Sequence, residues 1–146
     1  MIENMFEIKV KELRSYNQRI VRAFYVSLIM PAFFFIPSII QGHWVFGAIV
    51  STVIFLLFFL PRQVRQLVFI TSISARNGVL TIVYMEGNEQ AIMSGKIEDF
   101  HFKLGGRYSK QDVTLKVYHK DERILRQYQL GDWSTSKFNQ ILAAFQ

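Results

Sequence analysis

Residues 23–60 read AFYVSLIMPAFFFIPSIIQGHWVFGAIVSTVIFLLFFL, a block with no Asp, Glu, Lys or Arg in a chain where those four types supply 19% of all residues. As a helix at roughly 1.5 Å per residue, its first part, 23–40, covers about 27 Å, close to the ~30 Å hydrocarbon core of a bilayer. Ten Phe, Leu, Ile and Val side chains lie in that part. Each favours insertion by about 0.3–0.6 kcal/mol at a helix centre, which offsets Ser27, Ser38, Pro31 and Pro37. The second part, 44–60, is of similar length, and Gln41, Gly42 and His43 break the block between them. The reading is a hairpin of two transmembrane helices over 23–61. A secretory signal has a shorter apolar core, roughly 7–15 residues, and no second span. A soluble helical hairpin would need far more chain to cover two helices apolar on every side.

The flanks set the orientation. Arg19 and Arg22 precede the first span, Arg62 and Arg65 follow the second, and the turn between them has neither Lys nor Arg. Cytoplasmic loops carry the excess of basic residues, so both termini are expected in the cytoplasm, with the chain multi-pass in the inner membrane. Trp44 is expected as an interfacial anchor at the outer end. Gly47 and Ser51 form a small-xxx-small pair for close helix packing, either within the hairpin or between copies. Pro31 and Pro37 each remove a backbone donor and predict a kinked first helix. Neither span has an ionisable side chain at its centre, where a pump or proton relay would need one, so the hairpin reads as an anchor.

The formal charge of +6 is concentrated near this block. Lys9, Lys11, Arg14, Arg19 and Arg22 face only Glu3, Glu7 and Glu12 in residues 1–22, and Arg62 and Arg65 are unopposed, while the rest is nearly balanced. A nucleic-acid binder would concentrate its cations on the folded domain, so no nucleic-acid partner is expected. The absence of cysteine excludes disulfides, thiolate catalysis and cysteine-ligated zinc.

After Arg65 the pattern becomes one of short strands punctuated by turns. Segments 67–75 and 79–85 are rich in β-branched and aromatic residues and flank Asn77-Gly78, a pair that favours a tight hairpin turn. Further strands are predicted at 89–93, 96–104, 113–117 and 123–130. Phe138, Ile141, Leu142 and Phe145 then fall at helical spacing behind a cap at Asp132 or Ser134. Near the N-terminus, Phe6, Ile8 and Val10 alternate with Glu7, Lys9 and Lys11. Residues 5–10 are therefore predicted to add a strand to the sheet of the later domain and cover an edge.

Six meandering strands closed by one C-terminal helix resemble the pleckstrin-homology-like (PH-like) superfold. The whole chain, with a short polar head, a helical hairpin and then this domain, is similar to the YcxB-like family of small bacterial membrane proteins and to other bacterial membrane-anchored PH-like proteins. The resemblance implies an α+β membrane protein in three parts. These are an N-terminal segment at 1–22, the hairpin at 23–61, and at 62–146 a cytoplasmic antiparallel β sandwich or barrel with a C-terminal amphipathic helix. Phosphoinositide-binding PH domains place a basic cluster around the first hairpin, and the matching turn here offers only Arg76.

Chemistry is sparse. Glu98-Asp99 and Asp121-Glu122 are adjacent pairs whose members point to opposite faces of a strand, so neither forms a carboxylate dyad by itself. His43, His101 and His119 have no ligand spacing, and Leu104-Gly105-Gly106-Arg107 lacks the ending of a phosphate-binding loop. No catalytic residue, cofactor, metal or small-molecule substrate is expected. Lys103, Arg107, Tyr108 and Lys110, near a hairpin tip, are candidates for contact with anionic lipid or an acidic partner. The expected function is a non-enzymatic, membrane-anchored interaction or scaffold module, a small subunit of a larger inner-membrane assembly. Its partners are the bilayer and another membrane protein or further copies of itself. The alternatives are a peripheral sensor of anionic headgroups and an accessory subunit of a transporter or enzyme.

Overall fold

The computed structural model describes residues 6–11, 15–106 and 113–145. The chain divides into two compact units, residues 14–66 and residues 1–13 with 67–146.

The first unit is a helical hairpin of α1 (Tyr16–Ile40) and α2 (Trp44–Leu67). Ser15 starts α1 by accepting a hydrogen bond from the Gln18 N–H at 3.4 Å, which satisfies one of the first-turn donors. At its other end Gly42 takes φ +77°. The Gly42 N–H then donates to the Ile39 carbonyl and the His43 N–H to the Ser38 carbonyl. That 5→2 and 6→1 pair is a Schellman motif, and it reverses the chain using a residue without a Cβ. The helix is not interrupted at Pro31 or Pro37, and α2 likewise continues through Pro61. Arg62 and Arg65 therefore lie on α2 itself.

Both helices are long and apolar enough to cross a membrane. Their buried residues, Ala23, Ser27 and Pro31 on α1 and Gly47 and Ser51 on α2, are mostly small. Phe33, Ile40, Phe46 and Leu57 are 68–80% exposed. Small residues line the contact between the helices and large apolar ones face out, the reverse of a helix pair that buries an apolar stripe in water.

The second unit holds two antiparallel sheets. In the first, β1 (Phe6–Lys9), β2 (Val68–Arg76), β3 (Val79–Glu86) and β4 (Glu89–Lys96) lie in that order. In the second, β5 (Phe100–Gly105), β6 (Thr114–His119) and β7 (Glu122–Tyr128) do. The β1–β2 register runs from Phe6 opposite Ala75 to Lys9 opposite Ser72, so a strand that precedes α1 pairs with one that follows α2. Asn77 (φ +53°) and Gly78 (φ +75°) make the β2–β3 turn with both central residues left-handed, as a type I′ hairpin requires.

One predicted strand divides. Ile97–Asp99 form a 3-10 turn, and the strand read at 96–104 begins only at Phe100, because here the chain leaves the first sheet for the second. The core lies between the sheets. Ile73, Leu80 and Ile82 meet Phe102, Leu115, Val117 and Leu125, and Phe138 and Ile141 of α3 (Thr135–Phe145) complete it. Ser134 caps α3, accepting from the Lys137 N–H at 3.4 Å, while Asp132 pairs with the Lys137 ammonium at 2.6 Å.

A bulge at Thr71 shifts the β2 register between Ile70 and Ser72. It lets Ile70 and Ile73, three residues apart, both be fully buried, which an unbroken two-residue alternation would forbid. The displaced peptide groups find other partners. The Ile70 N–H donates to Gln127 Oε1 at 2.7 Å, and Trp133 Nε1–H donates to the Ile70 carbonyl at 2.7 Å. The Val10 N–H donates to the Thr71 carbonyl at 2.9 Å. Gln127 is fully buried, and its amide group donates to the Tyr128 carbonyl at 2.7 Å. Side chains from β7 and from the approach to α3 thus fasten the two sheets at one point of β2.

Candidate functional site

Within the helical unit, the side chains singled out from sequence fall into two groups. Gly47 packs against α1 so closely that a Cβ there would sit 2.3 Å from the Ser38 Cβ. One turn further along α2, the Ser51 hydroxyl donates to the Pro31 carbonyl at 3.1 Å. Both residues therefore serve contact inside the hairpin. Near its open end Phe24 packs edge-on against Phe55 and Phe59, which stack on each other at 5.0 Å.

Trp44 opens α2 and is 62% exposed. At the opposite end of the helices Arg62 donates to the buried Ser27 hydroxyl at 3.1 Å, and Arg19 donates to the Gln66 carbonyl at 3.2 Å. The Arg19 guanidinium also lies 5.7 Å from the Tyr16 ring centre. Residues 14–66 contain no Asp or Glu, so the arginines of this end have no carboxylate within their own unit. Sequence reading treated Arg19 and Arg62 as flanking charges. Their hydrogen bonds across the helix pair needed the facing register of α1 and α2, which no local pattern encodes.

In the β unit, Lys103 lies exposed on β5, while Arg107, Tyr108 and Lys110 fall outside the described residues. Strand register gives Lys103 neighbours that the sequence did not suggest. It pairs with Lys116 on β6, which pairs with Arg126 on β7. Phe102, Val117 and Leu125, on the opposite parity of the same strands, are buried, so the three cations form a row across the outer face of the second sheet. Two tyrosines flank the row. The Lys103 ammonium sits 5.3 Å from the Tyr118 ring centre and the Arg126 guanidinium 4.8 Å from that of Tyr128. Gly105 leaves room for the row, since a Cβ there would fall 2.3 Å from Lys116 Cε. A further row pairs His101 with Tyr118 and Tyr118 with Arg123.

The acidic pairs lie elsewhere. Glu98 and Asp99 are in the 3-10 turn, and the Lys120 N–H of the β6–β7 turn, which carries Asp121 and leads into Glu122 at the start of β7, donates to the Asp99 carbonyl at 2.9 Å. Both pairs therefore sit at one end of the second sheet, and Glu98 is paired there with Lys96 at 3.6 Å. Among the described residues no three His, Cys, Asp or Glu side chains come together as a metal site would require. In the first sheet β4 is an outer strand, and Ile92 on it is 65% exposed.

Comparison with protein-family models, with curated proteins and with solved structures gives no match.

Proposed function

We propose that this chain is a non-enzymatic, membrane-anchored interaction module that works as a small subunit of an inner-membrane assembly. The observation that carries the reading is the pairing of β1 with β2 around the hairpin. Strands that enter and leave a pair of apolar helices are joined in one sheet, so both ends of the hairpin must lie in one compartment. An even number of crossings meets that condition, and the hairpin has two helices suited to crossing. Arg19, Arg22, Arg62 and Arg65 gather at the ends of α1 and α2 that lead to the sheets, which favours the cytoplasm for that compartment. The arrangement of four strands, three strands and a C-terminal helix supports assigning the β unit to the PH-like superfold and the whole chain to the YcxB-like group.

A partner has an edge to use. Along β4 the backbone groups on the outer side have no strand partner among the described residues, and Ile92 supplies an apolar contact. Strand addition at such an edge draws affinity from main-chain hydrogen bonds and specificity from alternate side chains. Purification of the tagged chain in mild detergent is expected to bring a second membrane protein in fixed ratio, and Ile92→Lys, which places a charge on the edge, is expected to release it. A bare chain, or a complex indifferent to the substitution, would contradict this use of β4.

The alternative, a sensor of anionic headgroups, is favoured by one observation, the row of Lys103, Lys116 and Arg126.

A further inference from the structure

Like charges directly opposite one another destabilise a sheet. The second sheet nevertheless places Lys103 opposite Lys116 and Lys116 opposite Arg126, all on its outer face. Stability does not account for this row. Neither of the ion pairs seen between described residues, Lys96–Glu98 and Lys137–Asp132, involves it. Among the described residues, Arg126 Nε is also buried without a hydrogen-bond acceptor.

We infer that this outer face, built on Lys103, Lys116 and Arg126, is a docking surface for the headgroups of anionic phospholipid. The chemistry required is a negatively charged phosphate presented at a surface, because three strands hold the cations in a line and, among the described residues, no carboxylate is paired into that row. Chain connectivity favours lipid as its source. No residue separates the end of α2 at Leu67 from the start of β2 at Val68, so an inserted hairpin holds the β unit at high local concentration beside a bilayer. Single-stranded nucleic acid is disfavoured, because the rings on which bases would stack, Tyr118 and Tyr128, already carry Lys103 and Arg126. This inference rests on the anchored reading for the source of the lipid and deepens the headgroup-sensing alternative.

The test uses the full chain in nanodiscs of neutral phosphatidylcholine, incubated with separate vesicles that are either neutral or rich in phosphatidylglycerol, and measures co-flotation. Anionic vesicles are expected to capture the nanodiscs, neutral ones not, and rising salt to reverse capture. Each basic side chain near an anionic surface contributes about five-fold in affinity, so Lys103→Gln/Lys116→Gln/Arg126→Gln together is expected to lose about 100-fold. A control of equal charge change, Lys9→Gln/Lys96→Gln/Lys120→Gln, is expected to lose far less. Lys116→Gln alone, with about a five-fold loss, serves if the triple variant unfolds. Absence of capture, equal loss in the two triple variants, or displacement by soluble polyglutamate as readily as by anionic vesicles would overturn the inference. Failure of the chain to enter nanodiscs at all would instead count against the anchored reading, and it is seen before any vesicle is added.

Discussion

The bulge at Thr71 makes Gln127 the residue whose loss is simplest to work through. Its Oε1 is the acceptor for the Ile70 N–H, and both groups are buried. Gln127→Leu keeps the approximate volume and removes that acceptor together with the donor to the Tyr128 carbonyl. A buried donor left unsatisfied costs about 1–3 kcal/mol. In a domain of roughly 60–100 residues, each kcal/mol moves the unfolding midpoint by about 4–8 °C, so a loss of about 2 kcal/mol lowers it by about 8–16 °C. Trp133→Phe keeps a ring near Phe138, with which the indole stacks at 5.6 Å, and removes the N–H that bonds the Ile70 carbonyl. Its effect is expected to be of the same order. The assay is thermal unfolding in mild detergent followed by tryptophan fluorescence. A Trp44→Phe background makes Trp133 the sole reporter for Gln127→Leu, and near-ultraviolet circular dichroism serves for Trp133→Phe. Gln90→Leu, on exposed β4, is the control and is expected to stay within about 0.5 kcal/mol of the parent. If Gln127→Leu behaves like this control, the account of how the sheets are fastened is wrong.

Gly47→Leu forces α1 and α2 apart, since even a Cβ would lie 2.3 Å from that of Ser38. Its midpoint for unfolding in SDS is expected to fall by an amount equivalent to about 1–3 kcal/mol, with little loss of helical circular dichroism before the transition. An unchanged midpoint would refute the close approach. The hydrogen bond from Lys137 holds the Asp132 carboxyl below its usual range. A depressed folded-state pKa contributes stability at pH values above the unfolded-state pKa, and that contribution disappears as pH falls through the folded-state value. Asp132→Asn is therefore expected to leave a shallower acid dependence of the melting temperature of α3 and its sheet, and a difference that grows toward alkaline pH would contradict the sign.

Much of the secondary structure is legible along the chain because the signals are local. Charge-free runs mark α1 and α2, and Asn77-Gly78 marks a turn whose left-handed geometry few other pairs adopt. Alternation of Phe6 and Ile8 with Glu7 and Lys9 marks a half-buried strand. What is not legible depends on register between distant segments. Gln127 reads as an ordinary polar residue in a strand until the bulge at Thr71 leaves the Ile70 N–H to be met by its side chain. Lys103 stands out near a glycine pair, whereas Lys116 and Arg126 do not, because only the pairing of β5, β6 and β7 brings the three into one row. The division at Ile97–Asp99 is hidden for a related reason, since a strand that changes sheets keeps its apolar alternation on both sides of the change.

The anchored hairpin is tested most directly by thiol accessibility, and the absence of native cysteine leaves a clean background. Single variants His43→Cys, in the turn between the helices, and Ser94→Cys, on β4, are expressed in intact cells and treated with a membrane-impermeant maleimide. Insertion as a hairpin with the β unit in the cytoplasm gives label at His43→Cys in intact cells and at Ser94→Cys only after lysis. Label at neither or at both positions before lysis, or release of the chain from membranes by alkaline carbonate, would contradict it.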